Sequence, residues 1–222
     1  MSDPDFTLFE TLRVTTRKAG AQLLARHLQR LQHSAQVLGF AYDEGLVQRT
    51  LAQGLAALDG TGPWRLRLDL HKGGQASVRG APLAALPPGP VGVLLADAPV
   101  REVPPALLAH KISWRPAYEA ALQAAEAQGA FDMLFFDADG HLTEGARTNV
   151  FVRRADGGWV TPPLGPGLLP GVMRAHLLGD PGSPLRQARQ VPVTREDVVA
   201  ARELVVCNAL RGALPARLLP PR

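Results

Sequence analysis

The sequence predicts a mixed α/β (α+β) fold. Three observations carry this: alternating apolar and polar runs that read as strands, helical periodicity interspersed with them, and a proline-rich tract after residue 80, beyond which the chain is β-rich. At 222 residues the chain can bury a substantial core, as one large domain or two small ones. Its 46% hydrophobic and 20% charged residues are the composition of a globular rather than a disordered protein.

Taken in order, FTLFETLRVT from Phe6 to Thr15 alternates well enough to be a strand, and RKAG supplies a turn. AQLLARHLQRLQHSAQVLGF then places Leu24, His27 or Leu28, Leu31, Ala35 and Leu38 at helical spacing, with Gly39 as the stop. A second helix covers Leu46 to Leu58 and ends at DGTGP. WRLRLDLHKGGQASVR alternates from Arg65 to Leu70 before Gly73 and Gly74, which is the pattern of a hairpin. GAPLAALPPGP reads as a loop, VGVLLADAPV as a short buried strand, and residues 98 to 105, ending in REVPP, as a linker. Beyond it, SWRPAYEAALQAAEAQGA is an alanine-rich helix and FDMLFFDADGHLTEG is strand, Asp-Gly turn, strand. NVFVRRADGGWVTPP repeats the hairpin pattern around Gly157 and Gly158, and GVMRAHLL is a further helix. No repeat of fixed period and no low-complexity tail is present.

Composition excludes several classes. The one cysteine, Cys207, permits neither an intramolecular disulfide nor a cysteine-built zinc site, and suits a reducing cytoplasmic setting. The start, MSDPDFTLFE, has no basic-then-apolar leader pattern, and no apolar run is long enough to cross a bilayer, so a cytosolic protein without membrane contact is expected. The net charge of +4 and pI near 9.8 raise the question of nucleic acid. Only Lys18, Lys72 and Lys111 are lysines, however, and the arginines are scattered with no basic block and almost no interleaved aromatics. Arginine in excess suits anionic small molecules better, because a guanidinium pairs carboxylate or phosphate bidentately.

Three places could hold chemistry. Lys111 in AHKIS is a rare lysine between an apolar stretch and a helix; an amine used as a nucleophile must spend time unprotonated, which desolvation or cationic neighbours encourage. Glu144 in HLTEGARTNVFV stands at the corner between two strands, where a carboxylate could serve a pyridine nitrogen. TPPLGPGLLPGVMRAHLL runs from prolines and glycines straight into a helix, leaving the amides of Val172 and Met173 to hold an anion. Its prolines, Pro166 and Pro170, and the lack of a βαβ setting argue against a dinucleotide loop. Arg30, on the polar side of the first helix, could complete a phosphate cup.

The order and spacing of these features resemble the class IV aminotransferases, fold-type IV pyridoxal-phosphate proteins. The resemblance runs through FETLRV, HLQRLQHSAQVLGF, HKISWR, FDMLFFDADGHLTEGARTNVFV, TPPLGPGLLPGV and ELVVCNALRGALPARL, nearly the whole chain. Within the family the chain looks most like the aminodeoxychorismate lyases, including the module fused behind chorismate-aminating synthase subunits. Like that module it starts almost at FETL, without the strand pair that other members carry ahead of it.

The resemblance implies pyridoxal 5'-phosphate as cofactor, Lys111 as the Schiff-base lysine, Glu144 as partner of the pyridine nitrogen and Arg30 as a phosphate ligand. Val172 and Met173 would give backbone amides to the phosphate, with Asn208 and Ala209 on its other side. Arg115 matches a position that is arginine in many of the lyases and is a further candidate for binding substrate. Arg65 or Arg67 would take a substrate carboxylate, strand alternation allowing only one of them. Also implied are a small N-terminal α/β domain over residues 1–100 and a larger β-barrel-like domain with helices over 101–222, the latter holding the lysine. The implied reaction on a small-molecule substrate is conversion of 4-amino-4-deoxychorismate to 4-aminobenzoate and pyruvate, a step of folate biosynthesis. Transamination of branched-chain or D-amino acids is the alternative. A homodimer is implied, with aminodeoxychorismate synthase as a functional partner.

Overall fold

The structure, a computed structural model, describes residues 5–100, 103–165 and 167–220. Part of the expected linker (residues 101 and 102) and Pro166 of the proline-glycine run lie outside the described residues. The chain forms two compact units, one of residues 1–87 with His110–Trp114, the other of residues 88–109 with 115–222. The division differs from the single boundary expected near residue 100, and it assigns Lys111 to the first unit rather than the second.

In the first unit β1 (Leu8–Val14) leads to α1 (Leu24–Leu38), α2 (Glu44–Ala56), β2 (Trp64–Leu70) and β3 (Ala76–Pro82). The strands form an antiparallel sheet in the order β1-β2-β3. Alternation sorts its faces: Leu8, Leu12 and Val14 of β1 and Trp64, Leu66, Leu68 and Leu70 of β2 are buried on one side. The two helices pack against this sheet, α1 on β1 and α2 on β2 and β3, with His27, Leu31, Ala35, Val47 and Leu51 buried. Gly39 ends α1 in the left-handed region at φ 68°, and its N–H donates to the Ala35 carbonyl, so the glycine stop seen in the sequence is a conformational requirement. The strand β3 runs through Gly80 to Pro82, which the sequence reading gave to a loop; as an edge strand it tolerates proline.

His110–Trp114 returns to this unit as an extended segment beside β1. Phe9 N–H donates to the Lys111 carbonyl at 2.9 Å and Ser113 N–H to the Thr7 carbonyl at 2.9 Å, while the Ser113 hydroxyl oxygen accepts from Thr7 N–H.

The second unit comprises β4 (Val91–Leu95), α3 (Pro105–Leu108), α4 (Pro116–Ala127), β5 (Asp132–Phe136), β6 (Leu142–Gly145), β7 (Asn149–Arg153), β8 (Trp159–Thr161), α5 (Val172–Gly179), β9 (Arg189–Gln190), α6 (Arg195–Val199), β10 (Glu203–Asn208) and β11 (Gly212–Leu218). Its eight strands form one mixed sheet in the order β6-β5-β4-β11-β10-β7-β8-β9, curled as a half-barrel. The β5–β6 and β7–β8 hairpins form as their Asp-Gly and Gly-Gly turns predicted. β10 and β11, which no turn signal or alternation marks in the sequence, sit at the centre of the sheet. Val93, Leu134, Val150, Val152, Val206 and Leu204 build its main core, α4 covers β5 through Tyr118 and Ala121, and α5 packs on β10.

Candidate active site

In the first unit Lys111 is half-buried, its backbone tied to β1 and its Nζ 4.4 Å from the centre of the Phe9 ring. The same ring carries the Arg67 guanidinium at 3.9 Å. Arg67 in turn donates to Asp69 from Nε and Nη2, at 2.9 and 2.7 Å, and Arg79 and the Thr7 hydroxyl donate to the same carboxylate. Burial raises the Asp69 carboxyl, but hydrogen bonds and charge from Arg67 and Arg79 outweigh it and hold the group below the usual range. His110, next to the lysine, is buried, with its Nδ1 2.9 Å from the Ser34 hydroxyl oxygen. Burial and the nearby His33 lower its affinity for a proton.

Contrary to the expectation from alternation, β2 does not separate Arg65 from Arg67. Residues two apart on a strand share a face, and both arginines stand opposite the buried leucines of β2. With Arg13 opposite Arg65 and Arg79 opposite Arg67 in register, this face gathers four arginines around the one acid, Asp69. What distinguishes the two is engagement: Arg67 is held by Asp69 and Phe9, whereas Arg65 is exposed. The buried Arg13 Nε meets no hydrogen-bond partner among the described residues.

Arg30 is on the helix face turned toward β1, not on a solvated side. Its Nε donates to Glu10 Oε1 at 2.8 Å and its Nη2 to Oε2, while His27 Nδ1 lies 2.6 Å from that second oxygen. Glu10 and His27 are each 1% exposed. The cluster went unnoticed in the sequence, although a glutamate between Leu8 and Leu12 on an otherwise apolar strand face was its signal.

In the second unit Glu144 is buried on β6 and accepts hydrogen bonds from the Tyr118 hydroxyl to Oε1 at 2.9 Å and from Leu169 N–H to Oε2 at 3.1 Å. The strand corner after it is tight. Gly145 N–H donates to the Thr148 carbonyl, and buried Asp132 accepts from the Thr148 hydroxyl at 2.6 Å. Burial pushes the Asp132 carboxyl up to about 6 against the pull of the Thr148 and Met133 donors. Arg115 joins this group: Nη2 donates to the Ala146 carbonyl at 2.9 Å and the guanidinium lies 4.4 Å from the Tyr118 ring centre.

The loop into α5 is clamped at Leu169, whose N–H is held by Glu144 and whose carbonyl accepts from Asn149 Nδ2 at 3.0 Å. Gly171 follows as the N-cap, with no side chain capping the helix, so the amides of Val172 and Met173 open the helix unmet by a cap. A Cβ at Gly171 would lie 1.7 Å from Asn149 Oδ1. Gly171→Ala is therefore expected to break the Asn149–Leu169 bond and to lower stability by about 1–3 kcal/mol, read from denaturant melts. Asn208 begins the β10–β11 turn, its Oδ1 accepting from Arg211 N–H at 2.8 Å and its Nδ2 donating to the Arg147 carbonyl; Ala209 follows in the turn. Tyr118, Asn149 and Leu169 were not singled out in the sequence, because their roles come from side-chain contacts to residues more than 18 positions away.

Comparison with known proteins follows the same lines. The family model described as amino-transferase class IV matches residues 7–219. A candidate aminodeoxychorismate lyase of Schizosaccharomyces pombe is 33% identical over 174 residues, 77% of this chain and 72% of that protein. Among solved structures, a candidate amino-acid aminotransferase from Mesorhizobium loti superposes with a TM-score of 0.85 at 34% identity, over 97% of this chain and 100% of that one. A candidate 4-amino-4-deoxychorismate lyase superposes at 0.80 with 27% identity, over 97% and 85%. Sequence and fold agree across nearly the full length, and the chain belongs to the class IV aminotransferases, a family of pyridoxal-phosphate-dependent enzymes.

Proposed function

We propose that this enzyme is a lyase that converts 4-amino-4-deoxychorismate to 4-aminobenzoate and pyruvate. The observation that carries the reading is the arginine face of the first unit's sheet, where Arg13, Arg65, Arg67 and Arg79 outnumber Asp69. The substrate bears two carboxylates, and guanidinium groups are their natural partners. The similarity to the S. pombe protein points the same way.

The residues present suit pyridoxal phosphate. An uncapped helix start after Gly171 and a buried carboxylate held by the Tyr118 hydroxyl and Leu169 N–H are the chemistry that a phosphate and a pyridine ring need. In this reading the amides of Val172 and Met173 would bind the phosphate, with Asn208 and Ala209 on its other side, while Arg30 is held by Glu10. Glu144 holds a proton at the ring nitrogen. Lys111 Nζ would be the covalent anchor for the cofactor and the base that takes the proton from the substrate carbon bearing nitrogen. Bound cofactor supplies an electron sink for that carbon. Arg65 and Arg67 bind substrate carboxylate, and Arg115 steadies Tyr118 beside Glu144.

Incubation with 4-amino-4-deoxychorismate is expected to release 4-aminobenzoate and pyruvate in equal amounts. Amino transfer to 2-oxoglutarate with neither product would refute the lyase reading. Aminotransferase activity is the second reading, favoured by the 34% identity to the M. loti protein. We further propose a cytoplasmic homodimer working beside aminodeoxychorismate synthase, with light scattering as the check on the dimer. Among the described residues no helix is long and apolar enough to cross a membrane.

A further inference from the structure

We infer that Tyr118 is a positioning residue that fixes the Glu144 carboxylate and thereby keeps the proton on the cofactor's ring nitrogen. The inference rests on the proposed role of Glu144 and assigns a task to a residue outside the cofactor contacts named above.

Tyr118 is 3% exposed on α4, and its hydroxyl lies 2.9 Å from Glu144 Oε1. The phenol is itself held from two sides: Phe135 meets it edge-on at 5.3 Å between ring centres, and the Arg115 guanidinium caps it at 4.4 Å. Arg115 is fixed in turn by the Ala146 carbonyl, two residues along from Glu144. The donor is thus delivered by a rigid group whose supports belong to the carboxylate's own strand corner. Burial first, then the Glu144 charge, raises the phenol's hold on its proton, so at neutral pH the hydroxyl is a donor. Leu169 N–H meets the other oxygen, and both donors favour the charged form of Glu144.

A carboxylate and a pyridine nitrogen that share one proton divide it by their relative basicity. Removing a donor from the carboxylate makes it more basic and draws the proton toward Glu144. A hydrogen bond to a charged group corresponds to roughly a tenfold or larger change in proton affinity.

The test is the 15N resonance of the ring nitrogen in enzyme reconstituted with 15N-labelled pyridoxal phosphate. Tyr118→Phe is expected to move the signal toward that of unprotonated pyridine with little change in melting temperature. Glu144→Gln should move it further the same way, and adding Tyr118→Phe to Glu144→Gln should change nothing more. Site-specific 3-fluorotyrosine at position 118, a stronger donor, should move the signal toward pyridinium. If Glu144→Gln moves the resonance and Tyr118→Phe does not, Tyr118 has no such role, while the Glu144 reading survives. The role is equally overturned if Tyr118→Phe still acts in the Glu144→Gln background. A resonance that neither variant moves overturns both.

Discussion

Lys111→Ala is expected to lower turnover by roughly 10³-fold to 10⁴-fold or more, because one amine serves as both covalent anchor and base. Borohydride reduction followed by mass spectrometry should add the cofactor's mass to the peptide containing Lys111 in the wild type and not in the variant. Recovery of that adduct from another lysine, Lys18 or Lys72, would refute the assignment. The backbone ties of the segment should survive the change. The segment's ties to β1 are backbone bonds, from Phe9 N–H to the Lys111 carbonyl and between Thr7 and Ser113, and alanine keeps them all. The side-chain contact over Phe9 is worth about 0.5–1 kcal/mol.

Glu10→Ala should do the opposite, with its effect on stability. Glu10 is 1% exposed and neutralises Arg30, whose side chain is 10% exposed, with His27 as a second partner. Removing the carboxylate leaves a buried guanidinium without its counterion, at a cost of about 3–5 kcal/mol in chemical denaturation. The pH dependence follows from the same cluster. Burial raises the Glu10 carboxyl, but Arg30 and His27 outweigh it and lower the group from 4.5 to about 2. The folded state thus binds this proton less tightly than the unfolded chain, so the cluster's stabilisation is fully present above pH 4.5 and disappears as pH falls toward about 2. Glu10→Ala should flatten the acid limb of the stability profile over that window, and an unchanged limb would show that other carboxyls dominate it.

What was legible in the sequence follows the range over which each force acts. The β1 and β2 strands and α1 were readable because period-two and period-3.6 patterns are local, and Gly39 announced the helix end through its own backbone freedom. The pattern also contained more than was taken from it: the i, i+2 relation already placed Arg65 and Arg67 on one face. Lys111, Glu144 and the helix start at Val172 were picked out by residue type and spacing. Their surroundings were not, because Tyr118 reaches Glu144 and Asn149 reaches Leu169 through tertiary contacts that no periodicity records. The central strands β10 and β11 lack a clear apolar–polar alternation in sequence, ELVVCN being apolar through its middle and GALPARL carrying a proline, and they find their places through pairing with β7 and β4.

The return of His110–Trp114 to the first unit bears on how the protein can be made and cut. In the fragment of residues 1–87 the outer edge of β1 at Thr7 and Phe9 has lost the partner strand supplied by Lys111 and Ser113. During synthesis that edge stays open until the ribosome has released residue 113, and an open strand edge is a template for pairing with other chains. A truncation at the unit boundary would therefore aggregate through β1 and would lack the lysine as well. A soluble minimal version of this unit has to carry residues 110–114 along, for instance spliced through a short linker.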